Sequence, residues 1–251
     1  MRSLQRSILC LCVVLISAAI TGCSQKFNDV NDTIKVALFG EQDIWLDQDD
    51  VNNLPYASIY AKVSDGPQAF MVLALAEPKT RLGKHQATSQ QASIKQVSAQ
   101  QASLQHTTQL KWMSSDNGML VTENGRLVKT LNLPQGNLIE TISSQPDPLV
   151  LGLHLPSTPT IWQRKIDWQP GYHFGYTLQS EFTRQKDAVI IVNERPIKAL
   201  YFTENVTVSS LNTEYQNDFW LHPQTGKVLK SRQKIAPSLP YVEITLLKPY
   251  S

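Results

Sequence analysis

The chain is predicted to be mainly β: an antiparallel meander that curls into a sandwich or an open half-barrel, preceded by one or two short helices. Three observations carry this. Short segments between residues 57 and 248 repeat apolar side chains with a period of two, as half-buried strands do. Turn residues such as Asp65-Gly66, Asn124-Gly125 and Pro223 with Gly226 punctuate them. No strand–helix–strand rhythm occurs, so a parallel sheet with crossover helices is excluded.

The first element is a leader over residues 1–22. Arg2 and Arg6 supply a positive start, and residues 8–16 form an apolar core too short to span a bilayer alone. Small residues then lead through Ile20-Thr21-Gly22 to Cys23. This pattern resembles a bacterial lipoprotein signal with its lipobox. The resemblance implies that the Cys23 thiol takes a diacylglyceryl group, that the peptide is cut before it, and that the freed amine is acylated with palmitate or a similar chain. Multiple chains give lasting membrane anchorage, whereas one does not. Ser24, where aspartate would retain a Gram-negative lipoprotein at the inner membrane, implies sorting to the outer membrane with the body facing the periplasm.

Cleavage also changes the composition. Arg2 and Arg6 leave with the leader, which matches the remaining basic residues to the 21 acidic ones. A formally neutral exported chain has no electrostatic footprint for nucleic acid. Cys10 and Cys12 are also lost, and lipid consumes Cys23. No thiol is left for a disulfide, a redox centre or a thiolate metal site.

Residues 23–46 are expected to be a tether with a short amphipathic helix, since Val30, Ile34, Ala37 and Leu38 fall on one helical face before Gly40. Residues 47–251 are expected to form a single β-rich domain. A helix over 47–53 is stopped by Pro55, and strands follow at 57–63 and 68–76. Residues 79–108, biased to Gln, Ser and Ala, read as a flexible insertion, which loop-closure entropy tolerates. The strongest hairpin pairs 119–123 with 126–131 across Asn124-Gly125, a type I′ sequence. Further strands are expected at 162–168, 172–182, 188–192, 197–203, 206–209, 214–221, 227–235 and 241–248. In the second of these, Tyr172, Phe174, Tyr176, Leu178, Ser180 and Phe182 are expected on one sheet face, as core or as a stacking surface for sugar rings or acyl chains.

No catalytic motif emerges. There is no Gly-x-Ser-x-Gly elbow, HExxH pair, phosphate loop or EF-hand, and His85, His106, His154, His173 and His222 are scattered. His173 and Glu181 share the parity of one strand, but eight residues put them about 26 Å apart, so both are expected to be solvated. The reading is therefore no catalytic residue, no cofactor and no metal site, with Cys23 alone given a defined chemistry.

Two segments go beyond composition. Residues 49–60 (Asp-Asp-Val-Asn-Asn-Leu-Pro-Tyr-Ala-Ser-Ile-Tyr) lead through Gly66-Pro67-Gln68 into an apolar strand, and Lys111-Trp112 precedes residues 120–131 (Leu-Val-Thr-Glu-Asn-Gly-Arg-Leu-Val-Lys-Thr-Leu). Together they resemble the YjbF/GfcB family of lipoproteins, found with exopolysaccharide and group 4 capsule gene clusters. The resemblance implies a non-enzymatic outer-membrane accessory in polysaccharide production or export. Its partners would be the membrane, through the lipid on Cys23, together with polysaccharide and export proteins of the same cluster. Two rival readings remain: a lipid or acyl-chain carrier with an open β-barrel pocket, and a polysaccharide-modifying enzyme with two carboxylates in a cleft.

Overall fold

A computed structural model describes residues 43–80 and 106–250. The leader, Cys23, the helix expected over 30–38 and the interior of the insertion lie outside the described residues. No helix among the described residues is long and apolar enough to cross a membrane.

The strands are β1 (Ser58–Val63), β2 (Gln68–Thr80), β3 (His106–Met113), β4 (Met119–Glu123), β5 (Arg126–Leu131), β6 (Asn137–Ile142), β7 (Ile161–Gln169), β8 (His173–Arg184), β9 (Ala188–Val192), β10 (Arg195–Val208), β11 (Thr213–Leu221), β12 (Val228–Lys234) and β13 (Tyr241–Lys248). Two short α-helices are described, α1 (Gln48–Asn53) and α2 (Pro148–Leu151), with a single 3-10 turn at Ser209–Leu211. Every pairing is antiparallel, in the order β5-β4-β3-β2-β1-β13-β12-β11-β10-β8-β7-β6, with β9 attached to β10 alone. The two end strands, β5 and β6, are consecutive in sequence and lie side by side, so the sheet is nearly closed into a barrel.

That seam is stitched by side chains. Thr130 Oγ accepts from the Leu138 amide at 3.0 Å and donates to Asn137 Oδ1 at 3.1 Å, and Thr141 Oγ donates to the Val128 carbonyl. These bonds satisfy edge groups that a backbone ladder would otherwise cover.

The inward residues alternate, as the period-two reading requires. Trp162, Arg164, Ile166 and Trp168 are buried along β7, while Gln163 and Lys165 face solvent. Ile59, Met71, Trp112, Leu120, Leu127, Leu138, Ile166, Leu178, Val206 and Val242 meet in the barrel interior. Two smaller clusters form on the outer surface. Leu54 packs on Tyr60 and Phe70, with Ile44 and Leu46 against them, and the β9 hairpin lays Ile190 and Val192 near Trp220 and Leu229.

Several elements differ from expectation. β2 runs on to Thr80 and pairs Thr80 with His106, so the ladder reaches into both ends of the biased stretch. β6 and α2 were not anticipated: β6 lacks alternation, and four helical residues show no periodicity. β10 is one 14-residue strand where two, at 197–203 and 206–209, were expected.

The aromatic row also breaks. Gly175 has φ +67° and forms a bulge, so that Phe174 and Gly175 both oppose Asp167 between the pairs Ile166–Tyr176 and Trp168–His173. Parity reverses there. Tyr176, Leu178, Ser180 and Phe182 stay on the inner side, whereas Phe174 is 65% exposed and Tyr172 94%. His173 is not solvated as expected: its ring stacks on Trp168 at 4.3 Å between centroids. Glu181 is exposed.

Candidate functional site

Two features of the barrel bear on function: a sealed ionic cluster and a pocket at one mouth.

The cluster is built from sites that parity alone places inside. Glu204 sits among Phe202, Val206 and Val208 on β10 and is fully buried. Its Oε2 accepts from Arg126 Nη1 at 2.6 Å and Asn217 Nδ2 at 2.8 Å, and its Oε1 accepts from Arg164 Nη1 at 3.0 Å. Arg164 also donates to Ser180 Oγ. Arg126 reaches Asp147 from Nε at 2.7 Å, and Asp147 caps α2 by accepting from the Leu149 amide. The four charges balance. Aromatic faces complete the enclosure, with Arg126 over Trp162 and Phe219 at 5.0 and 4.9 Å, and Arg164 over Trp162 at 4.6 Å.

Burial alone would raise the Glu204 pKa, but Arg126 and Arg164 outweigh it and hold the carboxyl at about 2. Burial likewise opposes the Arg126 charge, and Asp147 and Glu204 overcome that to raise its pKa. A glycosidase acid needs the opposite, a carboxyl whose pKa is raised so that it holds a proton. The free space beside the cluster is about 10 Å³, room for about one water and no sugar. Its chemistry is therefore structural: it ties β5, β7, β10, β11 and the α2 turn together.

The mouth pocket holds about 380 Å³, within the size range of small-ligand sites. It opens where the Asn124-Gly125 turn, α2, the Thr225-Gly226 turn and the C-terminal Pro249-Tyr250 converge. Its wall is mostly apolar, with Leu110, Trp112, Leu149, Val228, Ile244 and Leu246. Local chemistry fixes this shape. Asn124 and Gly125 adopt φ +46° and +84°, as a type I′ turn requires, and a Cβ on Gly125 would stand 2.5 Å from the Val228 Cβ. Gln233 braces the turn from β12, donating to the Gly125 carbonyl and accepting from the Leu127 amide. Among the described residues Lys227 is the one charged residue lining the pocket, and no carboxylate does. Such a wall can enclose an apolar group but offers no acid–base pair.

Among the described residues no group of three or more His, Cys, Asp or Glu side chains could hold a metal ion. His154 lies against Gly226 in the turn that begins at His222, whereas His173 is stacked on Trp168. Cys23 is outside the described residues. Sequence reasoning missed Glu204 and Arg126, although an acid inside an alternating Phe-x-Glu-x-Val-x-Val run was a readable sign of burial.

The comparisons with known proteins agree along nearly the whole chain. The "uncharacterized lipoprotein GfcB" of Escherichia coli (strain K12) is 32% identical over 92% of this chain and 94% of its own length. The "uncharacterized lipoprotein YjbF" of the same organism is 29% identical over 94% of this chain and 96% of its own. The crystal structure of the hypothetical lipoprotein YmcC from Escherichia coli (K12) superposes with a TM-score of 0.64 at 32% identity, covering 88% of this chain and 96% of that one. The model of the family described as "Group 4 capsule polysaccharide lipoprotein gfcB, YjbF" matches residues 31–247, and the chain belongs to that family.

Proposed function

We propose that the protein is a non-enzymatic accessory lipoprotein of the outer membrane. Cys23 carries the lipid anchor, the barrel faces the periplasm, and the protein assists production or export of a surface polysaccharide of the group 4 capsule type. Family membership over residues 31–247 is the observation that carries this reading. The ionic cluster supports the non-enzymatic part. Its two acids are sealed, paired with arginine and, at Glu204, held ionised, so they do not form the open carboxylate pair that sugar hydrolysis requires.

Deleting the gene and measuring surface polysaccharide under conditions that induce the cluster tests the role directly. Loss or shortening of the polymer is expected, restored by the wild-type gene. Unchanged polymer overturns the proposal. For the anchor, mass spectrometry of the mature N-terminal peptide should find acyl chains on Cys23, and Cys23→Ser should abolish them.

A second reading, an acyl-chain or lipid carrier, is favoured by the apolar mouth pocket. Native mass spectrometry of the Cys23→Ser protein separates the two. Co-purifying lipid that is lost when Leu110→Trp fills the pocket would favour the carrier.

A further inference from the structure

We propose that the outer face of β7, β8 and β10 is a glycan-binding groove with Phe174 as its stacking platform. The inference deepens the accessory role by assigning the polysaccharide a place on the barrel, and it rests on that reading for the identity of the polymer.

The first observation is the bulge at Gly175. With regular alternation Phe174 would share the inner face with Tyr176 and Leu178. The extra residue turns it out instead, while His173 goes inward onto Trp168. A Cβ on Gly175 would meet nothing within 4 Å, so the glycine is there for its φ of +67° and not for space. Asp167 Oδ1 accepts from the Gly175 amide at 2.6 Å and fixes the bulge. Bulges of this kind re-aim side chains beside functional sites. The result is a phenylalanine ring, 65% exposed, that makes no ring contact among the described residues.

The second observation is what the ring overlooks. Gln163 on β7 pairs with Gln179 on β8, and Gln179 pairs with Thr207 on β10, so three neutral polar side chains form a row across three strands. Thr177 and Ser210 extend this surface into a groove of about 480 Å³ that contains Phe174. The side chains of Gln163, Thr177, Gln179 and Ser210 make no hydrogen bond among the described residues. The Thr207 hydroxyl has only a 3.4 Å contact with Glu214. Among the described residues the donors and acceptors of the other four face solvent without a protein partner.

Ligand class follows from this combination. Among the described residues no charged side chain lines the groove, and the carboxylates at its border, Asp167 on the Gly175 amide and Glu214 on the Thr207 hydroxyl, disfavour a phosphate or a nucleic acid. Phe174 and Tyr176 stand among amides and hydroxyls whose donors and acceptors an acyl chain would cover without satisfying. A pyranose has an apolar C–H face that stacks on an aromatic ring and a rim of hydroxyls that both donate and accept. That class uses both halves of the groove.

The test uses the full-length lipidated protein in detergent and polysaccharide purified from the surface of the source organism. Native gels with and without the polymer give the apparent affinity. The wild type should be retarded, and Phe174→Ala should weaken binding at least tenfold. The double variant Gln163→Ala/Gln179→Ala should do the same, with Val189→Ala on the distant β9 as an exposed control. Circular dichroism checks that each variant keeps its fold. A wild type that is not retarded, or variants that bind as well as wild type, overturns the groove. The two proposals fail separately. If deletion removes surface polymer but the protein does not bind it, the accessory role stands and the groove falls. If the protein binds through Phe174 but deletion changes nothing, the groove stands and the role falls.

Discussion

Glu204 and Arg126 meet at 2.6 Å inside the barrel although 78 residues separate them in the chain. Arg164 approaches the other oxygen of the same carboxylate from β7, so one acid joins strands from both ends of the sheet. The desolvation of three ions here is offset only while all of them are present.

Glu204→Gln should therefore be strongly destabilising. The amide keeps the shape but leaves two buried arginines with Asp147 as the one remaining counter-charge. A loss of about 3–5 kcal/mol is expected in urea unfolding. A loss below about 1 kcal/mol would mean that the cluster does not hold the barrel together.

The same carboxylate sets an acid limit. Its pKa is about 2 in the folded chain against an ordinary value of 4.5, so the stabilisation is complete above 4.5 and is lost as pH falls through about 2. Wild-type melting temperature should drop across that interval more steeply than that of Glu204→Gln. Parallel profiles would contradict the assignment.

At the seam, Thr130→Val keeps the volume and strands the buried Leu138 amide. About 1–3 kcal/mol should be lost. Hydrogen exchange at Leu138 should accelerate more than exchange within the β7–β8 ladder, which marks the seam as the first place to open.

Two glycines with positive φ should respond differently to alanine. Gly175→Ala meets open space and carries backbone strain alone, about 1–2 kcal/mol. Gly125→Ala adds a clash with Val228 and should cost more. Val228→Ala should not rescue it, because the nearest atom is the Cβ that alanine keeps. Chemical denaturation of the three variants checks this order.

Much of the architecture was legible because side-chain parity and turn chemistry are local. The β4–β5 hairpin appears with the expected bounds, since Asn-Gly tolerates positive φ at both turn positions. Parity also placed Trp162, Ile166 and Trp168 on one face. β6 was hidden because Asn137–Ile142 carries no clean alternation, its outer half being exposed at the seam. The partners of Arg164 and Glu204 were illegible for a different reason. Parity shows which way a side chain points, whereas pairing across 40 or 78 residues depends on strand order. Phe174 was misplaced by one glycine, because the sequence does not announce which glycine will form a bulge. The mouth pocket needed two turns, α2 and Pro249-Tyr250 to converge, which no local pattern encodes.

The position of β13 has a consequence for how the protein is made. It pairs with β1 on one side and β12 on the other, so the strand at the middle of the sheet is the last of the described strands to be synthesised. Until residues 241–248 emerge, β1 and β12 are the open edges of two ribbons that meet only at the β5–β6 seam and the ionic cluster. A chain crossing a membrane with its N-terminus leading would deliver both ribbons before the strand that unites them. Their exposed edges would then be natural clients for a holding chaperone until β13 pairs with both.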